Sequence, residues 1–193
     1  MTELYQYIIE NTNQFLGVLF SIIYVILSIR ENIFCWHALI IASIFNAFAF
    51  YQIQLTLQII MQFFFIFTGI YGWYNWKNGD SLSTLKISSW STKIHLQYIM
   101  AGVIITLILW LLLVALKIKN TSPFLDALMF TFNIIPMYMM GKKILESWIY
   151  FIAIDIISGF FYLSTGEYFY CFLFFCYLGF ATKGYMTWKN KKI

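Results

Sequence analysis

Charge is scarce in this chain. Lys, Arg, Asp and Glu make up 10% of its 193 residues, against about 25% in an ordinary soluble domain. Hydrophobic residues make up 62% and aromatic residues 22%. A soluble fold of this size has too little interior to hide that much apolar surface, so the solvent must be a bilayer. Histidine is rarer still. His37 and His95 are the two present, with no His-x-x-x-His or paired-Asp arrangement beside them, which excludes the usual intramembrane metal or nucleophile chemistry. The cysteines, Cys35, Cys171 and Cys176, are few, odd in number and set in apolar runs without a Cys-x-x-Cys pair. That excludes a disulfide framework or zinc site and suggests small packing residues. No cofactor is expected. The net charge of +4 is spread between apolar segments rather than gathered in a patch, so nucleic acid is not a partner. The opening "MTELYQYIIENTN" is acidic and aromatic, unlike the basic start of a cleavable signal.

What is present is a series of long uncharged runs. A membrane helix needs about 20 mostly apolar residues. Glu10 to Arg30 gives a first span at 15–29. Asn32 to Trp76 is charge-free but too long for one crossing, and the polar "YQIQ" at Tyr51–Gln54 divides it into spans at 33–50 and 55–76. After the polar linker "KNGDSLSTLKISSWSTKIH" come spans at 96–116, 124–140, 147–164 and 168–187. Seven crossings place Arg30, Lys77, Lys86, Lys93, Lys142, Lys143, Lys183, Lys189, Lys191 and Lys192 on one side. Only Lys117 and Lys119 fall on the other. By the positive-inside rule the C-terminus is cytoplasmic and the N-terminus external. The expected fold class is an all-α, multi-pass membrane protein.

The chain also repeats itself. Sliding it by 112 residues lays Trp36 on Trp148, Arg30 on Lys142, and the block Gly72, Trp76, Lys77, Asn78 on Gly184, Trp188, Lys189, Asn190. Isoleucine and phenylalanine matches are cheap in so biased a composition, but two aligned tryptophans and a Gly-x-x-x-Trp-Lys-Asn block are not. Repeat one covers 14–78 and repeat two covers 126–190, with 96–116 as a linker helix. Three is odd, so the linker span restores direction and makes the repeats parallel. This 3+1+3 plan is a transporter architecture with its site near the midplane between halves.

The same shift maps the polar residues inside the spans. Ser21 pairs with Asn133, Ser43 with Asp155, and Asn46 with Ser158, while Gln62 stands in the third span. Asp155 reads as the one formal charge well inside a span, where a carboxylate costs about 3 kcal/mol on insertion scales. Such a residue faces a wet cavity or a partner. Gln62 and Trp73 share a stripe of the third span with Phe65, Gly69 and Trp76. Trp148, Asp155, Ser158 and Tyr162 share a stripe of the sixth. A carboxylate inside an aromatic box suits a flat aromatic cation. The default reading of Trp36, Trp73, Trp76, Trp148 and Trp188, near span ends, is interfacial anchoring. Pro136 offers a kink in the fifth span.

"RENIFCW", "QFFFIFTGIYGWYNWKNG", "KKILESWIYFIAIDIISGFFYLSTGEY" and "GYMTWKN" together resemble the PnuC family of bacterial nicotinamide riboside transporters, from about residue 14 to the end. The resemblance implies a SWEET-like fold in the bacterial inner membrane. It also implies facilitated uptake of nicotinamide riboside, trapped afterwards by cytoplasmic phosphorylation, with thiamine or riboflavin carried by relatives. The expected partners are a small vitamin and the lipid bilayer, and a homo-oligomer is compatible with the pattern. The candidate substrate-binding set is Asp155, Ser158, Asn46, Ser43, Gln62, Trp73, Trp148, Tyr162 and Asn133. A sugar transporter on the same plan is the alternative of another class; it would favour asparagines and hydroxyls over surplus aromatics and a lone acid.

Overall fold

The computed structural model describes residues 10–78, 86–118 and 120–192. The start of the chain, the middle of the polar linker and Lys119 lie outside them. Among the described residues the chain forms seven α-helices: α1 (Thr12–Ile29), α2 (Cys35–Gln52), α3 (Thr56–Asn78), α4 (Thr92–Ala115), α5 (Pro123–Gly141), α6 (Ser147–Thr165) and α7 (Tyr168–Lys191). α1 to α6 are each long and apolar enough to cross a membrane. α7 is as long as α4 but carries Lys183, Lys189 and Lys191 in its second half. The expected reversal at Tyr51–Gln54 sits slightly later, because Tyr51 and Gln52 still belong to α2.

Five of the helix ends turn in one way. Lys117 after α4 has φ 51°, and in the two repeats Glu31, Gln54, Lys143 and Gly166 adopt left-handed φ values of 55, 58, 51 and 79°. Each follows a helix whose last carbonyls accept its own N–H and the next. After α1, Asn32 N–H bonds Leu27 O at 2.9 Å, and after α5, Ile144 N–H bonds Met139 O at 2.9 Å. After α2, Leu55 N–H bonds Phe50 O at 3.2 Å, and after α6, Glu167 N–H bonds Tyr162 O at 3.0 Å. These bonds satisfy carbonyls that a helix end would otherwise orphan. The members of each pair stand 112 positions apart, and so do the starts of α2 and α6 and of α3 and α7.

Packing follows the same order. α1 lies on α2 and α7, while α5 lies on α6 and α3; α2 packs on α3 and α6 on α7. α4 packs on α5, and Ile99, Val103, Ile104, Leu107, Ile108 and Leu111 stay exposed along it, as lipid-facing residues do. The polar linker is not loose where it is described. Ser88 N–H bonds Lys143 O at 3.0 Å and Leu145 N–H bonds Ser88 O at 2.8 Å, which buries Ile87 against the tryptophan core.

Gln54 is exposed yet held in a conformation that costs a non-glycine residue about 1–2 kcal/mol, whereas its counterpart is Gly166. Gln54→Gly is expected to raise the thermal midpoint of the purified protein by a few degrees, a net gain of about 0.5–1 kcal/mol after glycine's entropy loss. A thermal melt in detergent reads this directly.

Candidate substrate cavity

The site is built from two ends inward. At one end four tryptophans meet. Trp36 opens α2 and Trp148 opens α6; Trp76 and Trp188 stand near the ends of α3 and α7. Trp36 packs edge-on against Trp76 with centroids 5.2 Å apart, Trp148 does so against Trp188 at 5.4 Å, and Trp76 and Trp188 join the pairs at 6.4 Å. Glycine makes this possible. A Cβ on Gly72 would stand 2.4 Å from the Trp36 ring, and one on Gly184 would stand 2.7 Å from Trp148. Trp36, Trp148 and Trp188 are at most 1% exposed. The interfacial-anchor expectation therefore fails for these three, which plug the space between helices.

Charge ties this end together. Glu31, after α1, accepts from Lys143, after α5, at 2.6 Å and from Lys191 of α7 at 2.9 Å. The Lys143 ammonium also lies 4.8 Å from the Trp76 ring centre. Burial would raise the Glu31 carboxyl, but the two ammonium groups outweigh it and hold it below its ordinary value of 4.5.

At the far end Asp126, in the first turn of α5, is fully buried. Its carboxylate accepts the Leu57 backbone N–H at 3.1 Å, the Gln58 amide at 2.9 Å and the Asn120 amide at 2.6 Å. It thus caps the N-terminus of α3 from another helix, where a negative charge is favoured. Sequence reading missed it: Asp155 is not the only buried acid. The one available signal was an acid just inside a helix that starts with Pro123. Gln14 of α1 likewise donates to Glu167, before α7, at 2.9 Å.

Between these ends lies a cavity of about 90 Å³. It gathers Ser43, Asn46, Gln62, Asn133 and Asp155 from the candidate set, and adds Ser21 and Gln58. Phe65, from the third-span stripe, supplies one aromatic wall, and Tyr24, Phe151, Phe174 and Tyr177, which the candidate set lacked, supply others. Their neighbours' sequence spacing carries no mark that separates them from ordinary core. Four candidates lie elsewhere. Ser158 and Tyr162 are buried beside the cavity, Tyr162 inside a stack with Phe50, Tyr170 and Phe174. Trp148 reaches only a neighbouring hollow of about 30 Å³ that it shares with Asp155. Trp73 lies on an outer groove with His37 and Ile70. Gln62 and Phe65 of the third-span stripe and Asp155 of the sixth-span stripe line the cavity while the others turn past it, since a stripe covers a wide arc.

The polar lining divides by partner. Asn46 is spent on packing: its amide reaches Ser21 at 3.4 Å, its carbonyl accepts from Tyr170 at 3.1 Å, and it lies where Gly17 has no side chain. Ser43 bonds back to Leu39 O at 2.8 Å, and Asn133 bonds back to Met129 O at 2.7 Å. The Gln62 amide bonds Gln58 O at 3.1 Å, leaving its own carbonyl without a partner among the described residues. Asp155 is 3% exposed and makes no hydrogen bond or ion pair among the described residues. A buried carboxyl without a protein partner is expensive, and this one faces the cavity.

The nicotinamide mononucleotide transporter profile matches residues 11–190. The chain belongs to the nicotinamide mononucleotide transporter family. It is 26% identical over 166 residues to the nicotinamide riboside transporter PnuC of Escherichia coli K12, covering 73% of this chain and 70% of that one. It is 23% identical over 177 residues to the riboflavin/roseoflavin transporter RibM of Streptomyces davaonensis, covering 89% and 82%. The crystal structure of the vitamin B3 transporter PnuC superposes with a TM-score of 0.81 at 14% identity, over 98% of this chain and 85% of that one. As a member of this family the chain is a multi-pass membrane transporter for a small vitamin-like molecule, not an enzyme.

Two outcomes test the tryptophan end. Gly72→Ala drives a methyl group into Trp36 and is expected to cost about 1–3 kcal/mol, the usual range for overpacking, read as a lower thermal midpoint with altered tryptophan emission. The Glu31 triad stabilises the fold above about pH 4.5, the value an unpaired Glu has, and loses its effect as pH falls through the lowered folded value. In Glu31→Gln that acid-side loss is expected to shrink in a series of melts between about pH 3 and 7.

Proposed function

We propose that the chain carries nicotinamide riboside across the membrane by facilitated diffusion with alternating access. In this reading all seven helices cross the bilayer. α1–α3 and α5–α7 are parallel repeats joined by α4, and the C-terminus is cytoplasmic. The matched left-handed caps, the matched tryptophan–glycine pairs and the reciprocal packing of α1 with α7 and α5 with α3 support the repeats. Ten basic residues against two support the orientation.

The observation that carries the substrate is Asp155, a partnerless carboxyl among Tyr24, Phe65, Phe151, Phe174 and Tyr177. A nicotinamide ring bonded to ribose is a flat pyridinium cation. Ring stacking and cation–π attraction are worth about 0.5–2 kcal/mol each, and the carboxylate balances the charge. Asn133 and the free carbonyl of Gln62 can meet the amide and the ribose hydroxyls; Ser43 and Asn46 shape the wall. Among the described residues no Lys or Arg lines the cavity. A phosphate dianion would enter without a counter-charge, so the nucleoside is favoured over the nucleotide. The same asymmetry lets phosphorylation by a kinase on the arrival side trap the cargo. The cavity of about 90 Å³ is smaller than the 300 Å³ or more of a typical ligand pocket, so loading requires the halves to part, as rocking repeats do.

The likeness to RibM supports a second reading, riboflavin. Its flat ring suits the aromatic walls, but a neutral ligand leaves Asp155 unbalanced. Thiamine, also a cation, satisfies the same carboxylate.

Calorimetric titration of the purified protein with nicotinamide riboside, nicotinamide mononucleotide, thiamine and riboflavin separates these ligands. Nicotinamide riboside is expected to bind tightest. Asp155→Asn is expected to weaken it at least about tenfold, near 1.4 kcal/mol, with the thermal midpoint held within a few degrees. Undiminished affinity in that variant would remove Asp155 from the site, and tighter riboflavin binding would establish the second reading.

A further inference from the structure

The larger hollow in this protein is not the central cavity. A groove of about 630 Å³ runs down the flank between α3 and α4, floored by α5. Phe64, Phe67 and Tyr71 form one wall, and Tyr98, Ala101 and Ile105 form the other. It opens because α4 packs on α5 and not on α3, with Gly102 letting α4 settle onto Phe132. Along α5 the floor runs from Thr131 to Lys142, about 16 Å at 1.5 Å per residue. That is half of a hydrocarbon core of about 30 Å, the depth of one leaflet.

The mouth of the groove is a cation. Lys142 is exposed, with its ammonium 5.0 Å from the centre of the Tyr138 ring, and the phenols of Tyr71 and Tyr98 lie near enough to act on its charge. Among the described residues it makes no ion pair: Lys143 and Lys191 take Glu31, and Glu146 accepts the Trp90 backbone N–H. An ammonium without a carboxylate, set among the phenols of Tyr138, Tyr71 and Tyr98, complements a phosphate at the interface, where tyrosines and basic residues meet lipid headgroups.

We propose that this groove holds one anionic phospholipid, with an acyl chain against the floor of α5 and the phosphate on Lys142. A zwitterionic lipid fills the same groove but carries no net charge to match Lys142. A second copy of the chain would have to bring an acid to this point.

Native mass spectrometry of the full chain, with equal phosphatidylglycerol and phosphatidylcholine added, tests the proposal. The unaltered protein is expected to retain one phosphatidylglycerol in preference to phosphatidylcholine by about fivefold, the effect of one lysine near a charged surface. Lys142→Ala is expected to abolish the preference while keeping a bound lipid. Ala101→Phe, at an exposed position of α4, is expected to fill the groove and lose the lipid. Equal retention of both lipids by the unaltered protein, or a preference that survives both substitutions, overturns the proposal. So does a dimer that Ala101→Phe converts to monomer, since a second copy then occupies the groove.

Discussion

Two indoles resting on two glycines set the geometry from which the rest of this transporter follows. Gly72 and Gly184 lack the Cβ that would meet Trp36 and Trp148, so α3 can close on α2 and α7 on α6 at one end of the bundle. Trp36 and Trp148 are the second residues of their helices, and Ser43 and Asp155 follow seven positions later. Seven residues are about two turns, or 10 Å. The distance from plug to cavity is therefore fixed by helix geometry, and the same plug fixes it in both halves. The echo Gly-x-x-x-Trp-Lys-Asn is the sequence imprint of this contact: the glycine receives one indole and the tryptophan one turn later abuts it.

Around that frame the interior polar groups obey one rule. Burying them is costly unless they are bonded, and most are. Asp126 is spent on the α3 N-terminus, Asn46 on Ser21 and Tyr170, and Glu31 on two lysines. Of the groups left unbonded among the described residues, the Gln62 carbonyl and the Asp155 carboxyl face the central cavity. Among the described residues the fold satisfies Asp126, Glu31 and Glu167 and leaves Asp155 unbonded between aromatic walls.

The helices were legible in the residues because a bilayer enforces long charge-free runs. Each expected span agrees with an observed helix to within a few residues at its ends, apart from the start of α4 and the end of α7. The site was legible in part. The 112-residue shift led to Ser43, Asn46, Asn133 and Asp155, all of which line the cavity, and Gln62 joins them. It failed for Ser158 and Tyr162 because helical spacing defines an arc, not a direction, and neighbours along α7 took up that arc. Trp148 and Trp36 read as anchors because a tryptophan at a span end is usually one; only the opposing glycines mark them as buried. Asp126 stayed hidden because its partners, the Leu57 N–H and the Gln58 and Asn120 amides, are set by no spacing along its own helix. The strap at Ile87 was unreadable for the same reason, since its bonds go to the Lys143 carbonyl and the Leu145 amide.

The plug carries an energetic cost of its own. The ring N–H groups of Trp36, Trp76, Trp148 and Trp188 are all buried without an acceptor among the described residues. A buried donor left unsatisfied costs about 1–3 kcal/mol, so the closed end carries a standing penalty against its large aromatic contact. Separation of the halves would expose those donors to water and recover that cost while giving up stacking and burial. The two terms oppose each other, so the unbonded donors offset part of what stacking and burial contribute. Glu31, Lys143 and Lys191 add a connection across the same seam that is part-exposed and therefore only modestly strong. Under the alternating-access proposal this seam has to open and reseal, and the unbonded indole donors lower the cost of opening it.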